Sequence, residues 1–251
     1  MTPPIPELIL APPQPGTRGH DSYISASKIP AIMGVDPWGR TIHTVFERLL
    51  DPRDARPATD EHTKSLFRWG HAAERALVEY WEAETGHTDG YLETQPCYRA
   101  ARDTGLDFPH LVTPDAVFHP GMVSKRSSAH WHIIEAKSGG RQGPLVPAAD
   151  GPDLPISDAA QVLTQMGVTG ARTGWLVRAP FARDETPEIS QVTWNPDAFD
   201  LIVTTCRHLW NIVQQTRDDT DGTYDPSIDC AYLADSINDQ LHTILTRKDG
   251  A

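Results

Sequence analysis

Apolar residues along the chain follow two periods, one near 3.6 and one near 2, and these divide it into helices and strands. Residues 25–33 read as a short helix, with Ser25 or Ser27 at its N-cap and Gly34 at its end. Val35-Asp36-Pro37-Trp38-Gly39 reads as a turn, after which Thr41 caps a helix through about Leu50. Residues 51–63, polar and proline-containing, read as a loop. A long helix follows over about 64–85, where Leu66, Trp69, Ala73, Leu77, Tyr80 and Trp81 recur at helical spacing before Gly86. Residues 91–101, 111–118, 131–137, 173–179 and 189–194 read as strands, with a helix over 157–168 between the third and fourth. Residues 199–215 carry an amphipathic helix pattern, 218–222 an acidic linker, and 228–246 a last helix. Residues 139–155 are rich in Gly and Pro, lack a period, and read as a mobile loop after the third strand.

That order predicts an α/β fold with a mixed central sheet flanked by helices. Residues 1–20 are Pro-rich and aperiodic, and read as a flexible or surface-hugging tail. The domain is then expected over 21–215, with the acidic linker and C-terminal helix over 216–251.

Composition narrows the function classes. A hydrophobic content of 39% with seven Trp allows a substantial core within 251 residues. No run is apolar enough to span a membrane, and Met1-Thr2-Pro3-Pro4-Ile5-Pro6 has no basic stretch of the secretory type. Cys97, Cys206 and Cys230 are scattered, which gives neither a disulfide framework nor a zinc or iron–sulfur set and fits a reducing cytoplasm. A net charge of −12 argues against a protein that coats nucleic acid generally. It leaves room for an enzyme that cuts nucleic acid, because acidic residues that bind metal add to the negative count.

The strongest chemical signal is a split acidic cluster: Thr113-Pro114-Asp115 on one apolar segment, then Ile133-Ile134-Glu135-Ala136-Lys137 on the next. Two carboxylates side by side can hold a hard divalent cation. A lysine two residues past the Glu shares its strand face, because strand side chains alternate. Such a lysine can orient an attacking water or neutralise charge on a phosphate. A solvated strand face is the plainer reading of Glu-x-Lys alone.

Three other segments join it. In Arg68-Trp69-Gly70-His71-Ala72-Ala73-Glu74, a glycine inside a helix often marks the close approach of another element, and Glu74 follows it by one turn. An exposed Glu paired with Arg75 accounts for the same residues. Gln161 and Gln165 stand one helical turn apart on one face, suited to orient a lysine or a water, or simply polar. Ser27 stands near a helix N-terminus, where it serves either as an anion site or as a plain cap.

Taken in order, Ser27, Gly34-Val35-Asp36-Pro37-Trp38, Gly70 to Glu74, Pro114-Asp115, Glu135-Ala136-Lys137, Gln161 with Gln165, and Thr169-Gly170 resemble the YqaJ-type viral recombinase family. This is the lambda-exonuclease branch of the PD-(D/E)XK nucleases, and the resemblance runs from about Asp21 to Trp194.

The resemblance implies a PD-(D/E)XK core and a metal-dependent deoxyribonuclease. Its expected activity is 5′-to-3′ exonuclease action on linear double-stranded DNA in phage or prophage recombination, inside a bacterial cytoplasm. An endonuclease of the same superfamily and a non-catalytic DNA-end-binding protein are the alternatives. By resemblance, Asp115, Glu135 and the carbonyl of Ala136 hold Mg²⁺ (or Mn²⁺), and Glu74 completes the metal site. Lys137 matches the catalytic lysine and Gln161 the glutamine beside it. Ser27 and Thr113 match hydroxyls that hold a 5′-phosphate. An arginine expected seven residues before Ser27 is His20 here, with Arg18 close by as a substitute. Ser138-Gly139-Gly140 stands where the family often has Cys-Pro. A trimeric ring around DNA and a single-strand annealing protein as partner are further family expectations.

Overall fold

A computed structural model describes residues 5–54, 60–101, 104–121, 127–139, 142–179, 186–219 and 223–247. In chain order the elements are β1 (Glu7–Leu8), α1 (Arg18–Asp21), β2 (Ile24–Ser25), a 3-10 turn (Ala26–Lys28), α2 (Ile29–Ile32), α3 (Ile42–Leu50), α4 (Glu61–Thr85), β3 (Gly90–Thr94), β4 (Tyr98–Arg99), β5 (His110–Leu111) and β6 (Ala116–Pro120). A second 3-10 turn (Ser128–His130) precedes β7 (His132–Ser138), and β8 (Leu145–Val146), β9 (Leu154–Pro155), α5 (Ile156–Thr169), β10 (Thr173–Ala179), β11 (Glu188–Thr193), α6 (Pro196–Asp218) and α7 (Pro226–Thr246) follow.

The central sheet has five strands in the order β11-β10-β7-β6-β3. The β7–β10 pair is parallel and the other pairs are antiparallel, so the sheet is mixed. Parallel neighbours need a crossover, and α5 supplies it. On one face, Leu77, Val78 and Trp81 of α4 pack on Ala116, Phe118, Ile134, Ala136 and Val177. On the other, Val117, Ile133 and Leu176 join α5, α6 and the shorter helices in the larger core. Each large apolar side chain buried this way contributes about 1.5–3 kcal/mol.

Period-two alternation along β7 therefore sends Ile133, Glu135 and Lys137 toward α5, and Ile134, Ala136 and Ser138 toward α4. Gly174 lets α5 lie close on β10: a Cβ there would meet Val162 Cγ1 at 2.4 Å and Met166 Sδ at 2.7 Å. Gly70 has no such need, because a Cβ on it would stand 3.9 Å from Ser138 Oγ, an ordinary contact.

Several boundaries differ from those read in the sequence. The expected strand over 91–101 is two strands, broken where Gln95 takes a positive φ of 50°. The strand expected over 111–118 is also split, between β5 and β6, at Thr113-Pro114-Asp115. Proline cannot donate to a ladder, so the break falls there. The segment expected to be a mobile loop carries the β8–β9 hairpin, with Val146 and Leu154 buried. It is also tied to β11 by Ala149 N–H to Gln191 O and Gln191 N–H to Asp150 O, each at 2.8 Å. Residues 140 and 141 of it lie outside the described set. In the Pro-rich start, β1 pairs with β4, and Arg99 makes a two-pronged ion pair with Glu7. Near the other end, Ile237 and Leu241 of α7 are buried in the main core, and Asn238 Nδ2 donates to Gly34 O at 3.3 Å. Residues 220–222 of the expected acidic linker also lie outside the described set.

Candidate active site

The β6–β7 ladder runs from Phe118–His132 to Ala116–Ile134 and goes no further. Asp115 sits just before β6, and its Oδ2 accepts the Ala136 N–H at 2.7 Å. A carboxylate has taken the place of a strand partner. In a strand, a residue's N–H and C=O point to the same neighbour. The Ala136 carbonyl therefore faces the Asp115 side too, beyond the end of the ladder.

Glu135 is 4% exposed and fully engaged. Its Oε1 accepts from Lys137 Nζ and Gln161 Nε2, each at 2.5 Å, and its Oε2 accepts from Gln165 Nε2 at 2.7 Å. Lys137 Nζ also donates to Gln161 Oε1 at 3.2 Å. The two glutamines one turn apart on α5 thus both reach one carboxylate across the sheet face.

The electrostatics follow from burial and crowding. Burial, then the charge of Glu135, push the Asp115 carboxyl well above its ordinary range, and Glu74 adds to the rise. Burial opposes the Lys137 ammonium, but Glu135, Asp158 and Asp115 outweigh it and raise its pKa. Lys137 is therefore a firmly charged cation, and Asp115 stands in an excess of negative charge.

The donor chemistry of Asp115, Glu135 and the Ala136 carbonyl, all oxygen, fits a hard divalent cation. Among the described residues, no three His, Cys, Asp or Glu side chains gather into a metal-binding group. The oxygens that could hold such an ion are those of Asp115 and Glu135 and the Ala136 carbonyl. Glu74 comes from α4 on the opposite sheet face, with His71 Nδ1 3.1 Å from its Oε2. Its charge is among those that raise the Asp115 carboxyl.

The residues expected to hold a phosphate lie apart from this network. Ser27 is exposed on the 3-10 turn, its Oγ 3.1 Å from that of buried Ser25. Thr113 is exposed, beside the Cys97 thiol. Ser25 pairs with Leu111 between β2 and β5, so Ser27 and Thr113 each lie two residues beyond one paired position. Arg18 is exposed on α1, its N–H donating to Asp54 Oδ1 at 2.7 Å, and no contact among the described residues joins it to Ser27. The cation that touches Ser27 is Arg40, whose Nη2 donates to the Ser27 carbonyl at 3.4 Å while Asp36 holds the guanidinium. Sequence reading missed Arg40, and it missed Asp158 and Arg178 beside Lys137. Only the helical spacing Asp158, Gln161, Gln165 hinted that Asp158 shares the glutamines' face.

Two solved structures share the fold at low sequence identity. One is an alkaline exonuclease (LHK-Exo) from Laribacter hongkongensis, 12% identical over 78% of this chain and 90% of that one, with a TM-score of 0.53. The other is LHK-Exo in complex with dAMP, 11% identical over 81% and 95%, with a TM-score of 0.50. The shared fold is the PD-(D/E)XK-like one. No curated protein matches the chain significantly. The model of the YqaJ-like viral recombinase domain matches residues 17–172, more than half of the chain and all of the cluster around Asp115, Glu135 and Lys137. The chain belongs to the YqaJ-like viral recombinase domain family.

Proposed function

We propose that the protein is a metal-dependent deoxyribonuclease that degrades linear duplex DNA from its 5′ ends. The observation that carries this reading is the set at the end of β7. Asp115 accepts the Ala136 N–H, and a charged Lys137 is held between Glu135 and Gln161. The alkaline exonuclease fold of the structural neighbours and the family membership support the same chemistry.

Asp115, Glu135 and the Ala136 carbonyl would hold Mg²⁺ or Mn²⁺, with Glu74 as the further carboxylate, and the ion would supply Lewis acidity and a more acidic water. The residues of the chain do the rest. Lys137 keeps its proton and presents positive charge where the phosphate oxygens gain negative charge. Gln161 accepts a hydrogen bond from Lys137 Nζ on its Oε1 and donates from its Nε2 to Glu135, which fixes the ammonium relative to the carboxylate. Gln165 holds the other oxygen of Glu135 from the core side. Ser27 and Thr113 offer hydroxyls to a 5′-phosphate, with Arg18 or the nearby Arg40 as its cation.

Nothing in this set reads base edges, and phosphate contacts carry no sequence information. Cleavage is therefore expected to be insensitive to sequence. Assembly as a trimeric ring and cooperation with a single-strand annealing protein are proposed on the family's pattern alone.

The test is linear duplex, 5′-phosphorylated or 5′-hydroxyl, beside a closed circle in Mg²⁺. Loss of linear DNA with the circle intact supports the reading, and faster loss from 5′-phosphate ends supports the Ser27–Thr113 site. Nicking of the circle makes the protein an endonuclease instead.

A further inference from the structure

Beside the cluster lies a buried ion pair that the mechanism above does not use. Asp158, on the first turn of α5, accepts from Arg178 Nη2, and their side chains are 13% and 9% exposed. Arg178 stands on β10 level with Lys137 of β7 in the parallel register. Its Nη1 donates to Gly139 O at 3.1 Å, and Gly139 N–H donates to Ala179 O at 2.9 Å. One guanidinium thus joins the end of β7, the end of β10 and the start of α5.

Stability alone is a weak reason for such a pair, since burying two charges costs about as much as their attraction returns. Its position gives a better one. Asp158 lies one helical turn before Gln161 on the same face, the face that meets Lys137. Lys137 Nζ lies closest to Glu135 Oε1, at 2.5 Å, and Glu135 is also a proposed cation ligand. Were Glu135 to hold a cation, Asp158 would remain as an anion on the face of α5 that meets Lys137. Its charge, with those of Glu135 and Asp115, favours the Lys137 ammonium.

We propose that Asp158 is a positioning residue for Lys137, clamped by Arg178, which keeps the ammonium at the site when Glu135 is taken up elsewhere. This rests on the nuclease reading above.

Asp158→Asn is the test. An amide of the same shape still accepts from Arg178 but carries no charge. With Mg²⁺ and linear duplex, kcat should fall about ten- to a hundredfold with KM unchanged, because Lys137 acts on charge that develops in the transition state. A kcat within twofold of the parent, or a change confined to KM, overturns the proposal. A second measurement uses the metal-free protein. Unfolding of Asp158→Asn, Lys137→Met and the double variant should be non-additive, because the two charges interact. Additive effects overturn the proposal, while a purely structural Asp158–Arg178 pair would leave Lys137 uncoupled. If the parent protein cleaves no DNA, the nuclease reading fails, and the unfolding cycle alone decides whether Asp158 holds Lys137. Arg178→Lys, which keeps the charge but loses the Gly139 contact, should lower kcat in the same direction, and an unchanged kcat would count against the clamp.

Discussion

The Ala136 N–H donates to Asp115 Oδ2 at 2.7 Å, where the next rung of the β6–β7 ladder would have been. This one bond explains how a carboxylate comes to lie beside a strand carbonyl at the sheet's interior. It also sets the charge balance of the site, because Asp115 is buried near Glu135 and Glu74.

Asp115→Asn should therefore separate stability from activity. The amide oxygen can still accept from Ala136. In metal-free protein, a carboxyl whose folded pKa is raised costs stability as pH rises from its unfolded value through its folded one. Removing that charge should raise the melting temperature at pH 7 in chelator. Mg²⁺ should raise the melting temperature of the parent by binding the native state, and raise that of Asp115→Asn much less. Cleavage should fall by orders of magnitude. A parent melting curve that ignores Mg²⁺ would contradict the proposed metal site.

Gly174→Ala tests the packing that places α5 over the sheet. The added methyl would overlap Val162 and Met166, whose atoms lie 2.4 and 2.7 Å from its position. Overpacking of this kind costs about 1–3 kcal/mol. Denaturant unfolding should show that loss, and kcat should drop as well, since Gln161 and Gln165 ride on the displaced helix. A neutral Gly174→Ala would mean that α5 shifts freely.

Acid should destabilise the protein through the aromatic cluster under α4. The His132 pKa is lowered from 6.5 to about 4 by burial and then by His87, whose ring centroid is 4.6 Å away. The unfolded chain binds this proton more readily, so the stabilising contribution is complete above pH 6.5 and falls until about pH 4. The slope is at most about 1.4 kcal/mol per pH unit, and less because the ring is partly exposed. His132→Phe should flatten it. It should also cost roughly 1 kcal/mol at pH 7, because Trp175 Nε1 donates to His132 Nδ1 and would lose its acceptor. Unfolding free energies measured between pH 4 and 7 check both statements.

The parts that the sequence shows plainly are those governed by a local period. Alternation along His132–Ser138 puts Glu135 and Lys137 on one face, and one helical turn puts Gln161 and Gln165 on another, so their meeting needed only the crossover between β7 and β10. Two-residue strands leave no period, which hid the β8–β9 hairpin and the pairing of β1 with β4. The bond from Ala136 to Asp115 depends on where a ladder stops, and the Asp158–Arg178 pair on which strand ends lie level. Both are tertiary facts with no local signature.

The most direct test of the central claim compares the parent and Lys137→Ala on 5′-labelled linear duplex in Mg²⁺, following nucleotide release in a single turnover. Lys137 is part exposed, and its loss leaves Glu135 held by Gln161 and Gln165, so the variant should fold and still bind Mg²⁺. The account predicts rapid release by the parent and a loss of at least about a hundredfold in the variant. Near-parental release by Lys137→Ala would contradict it.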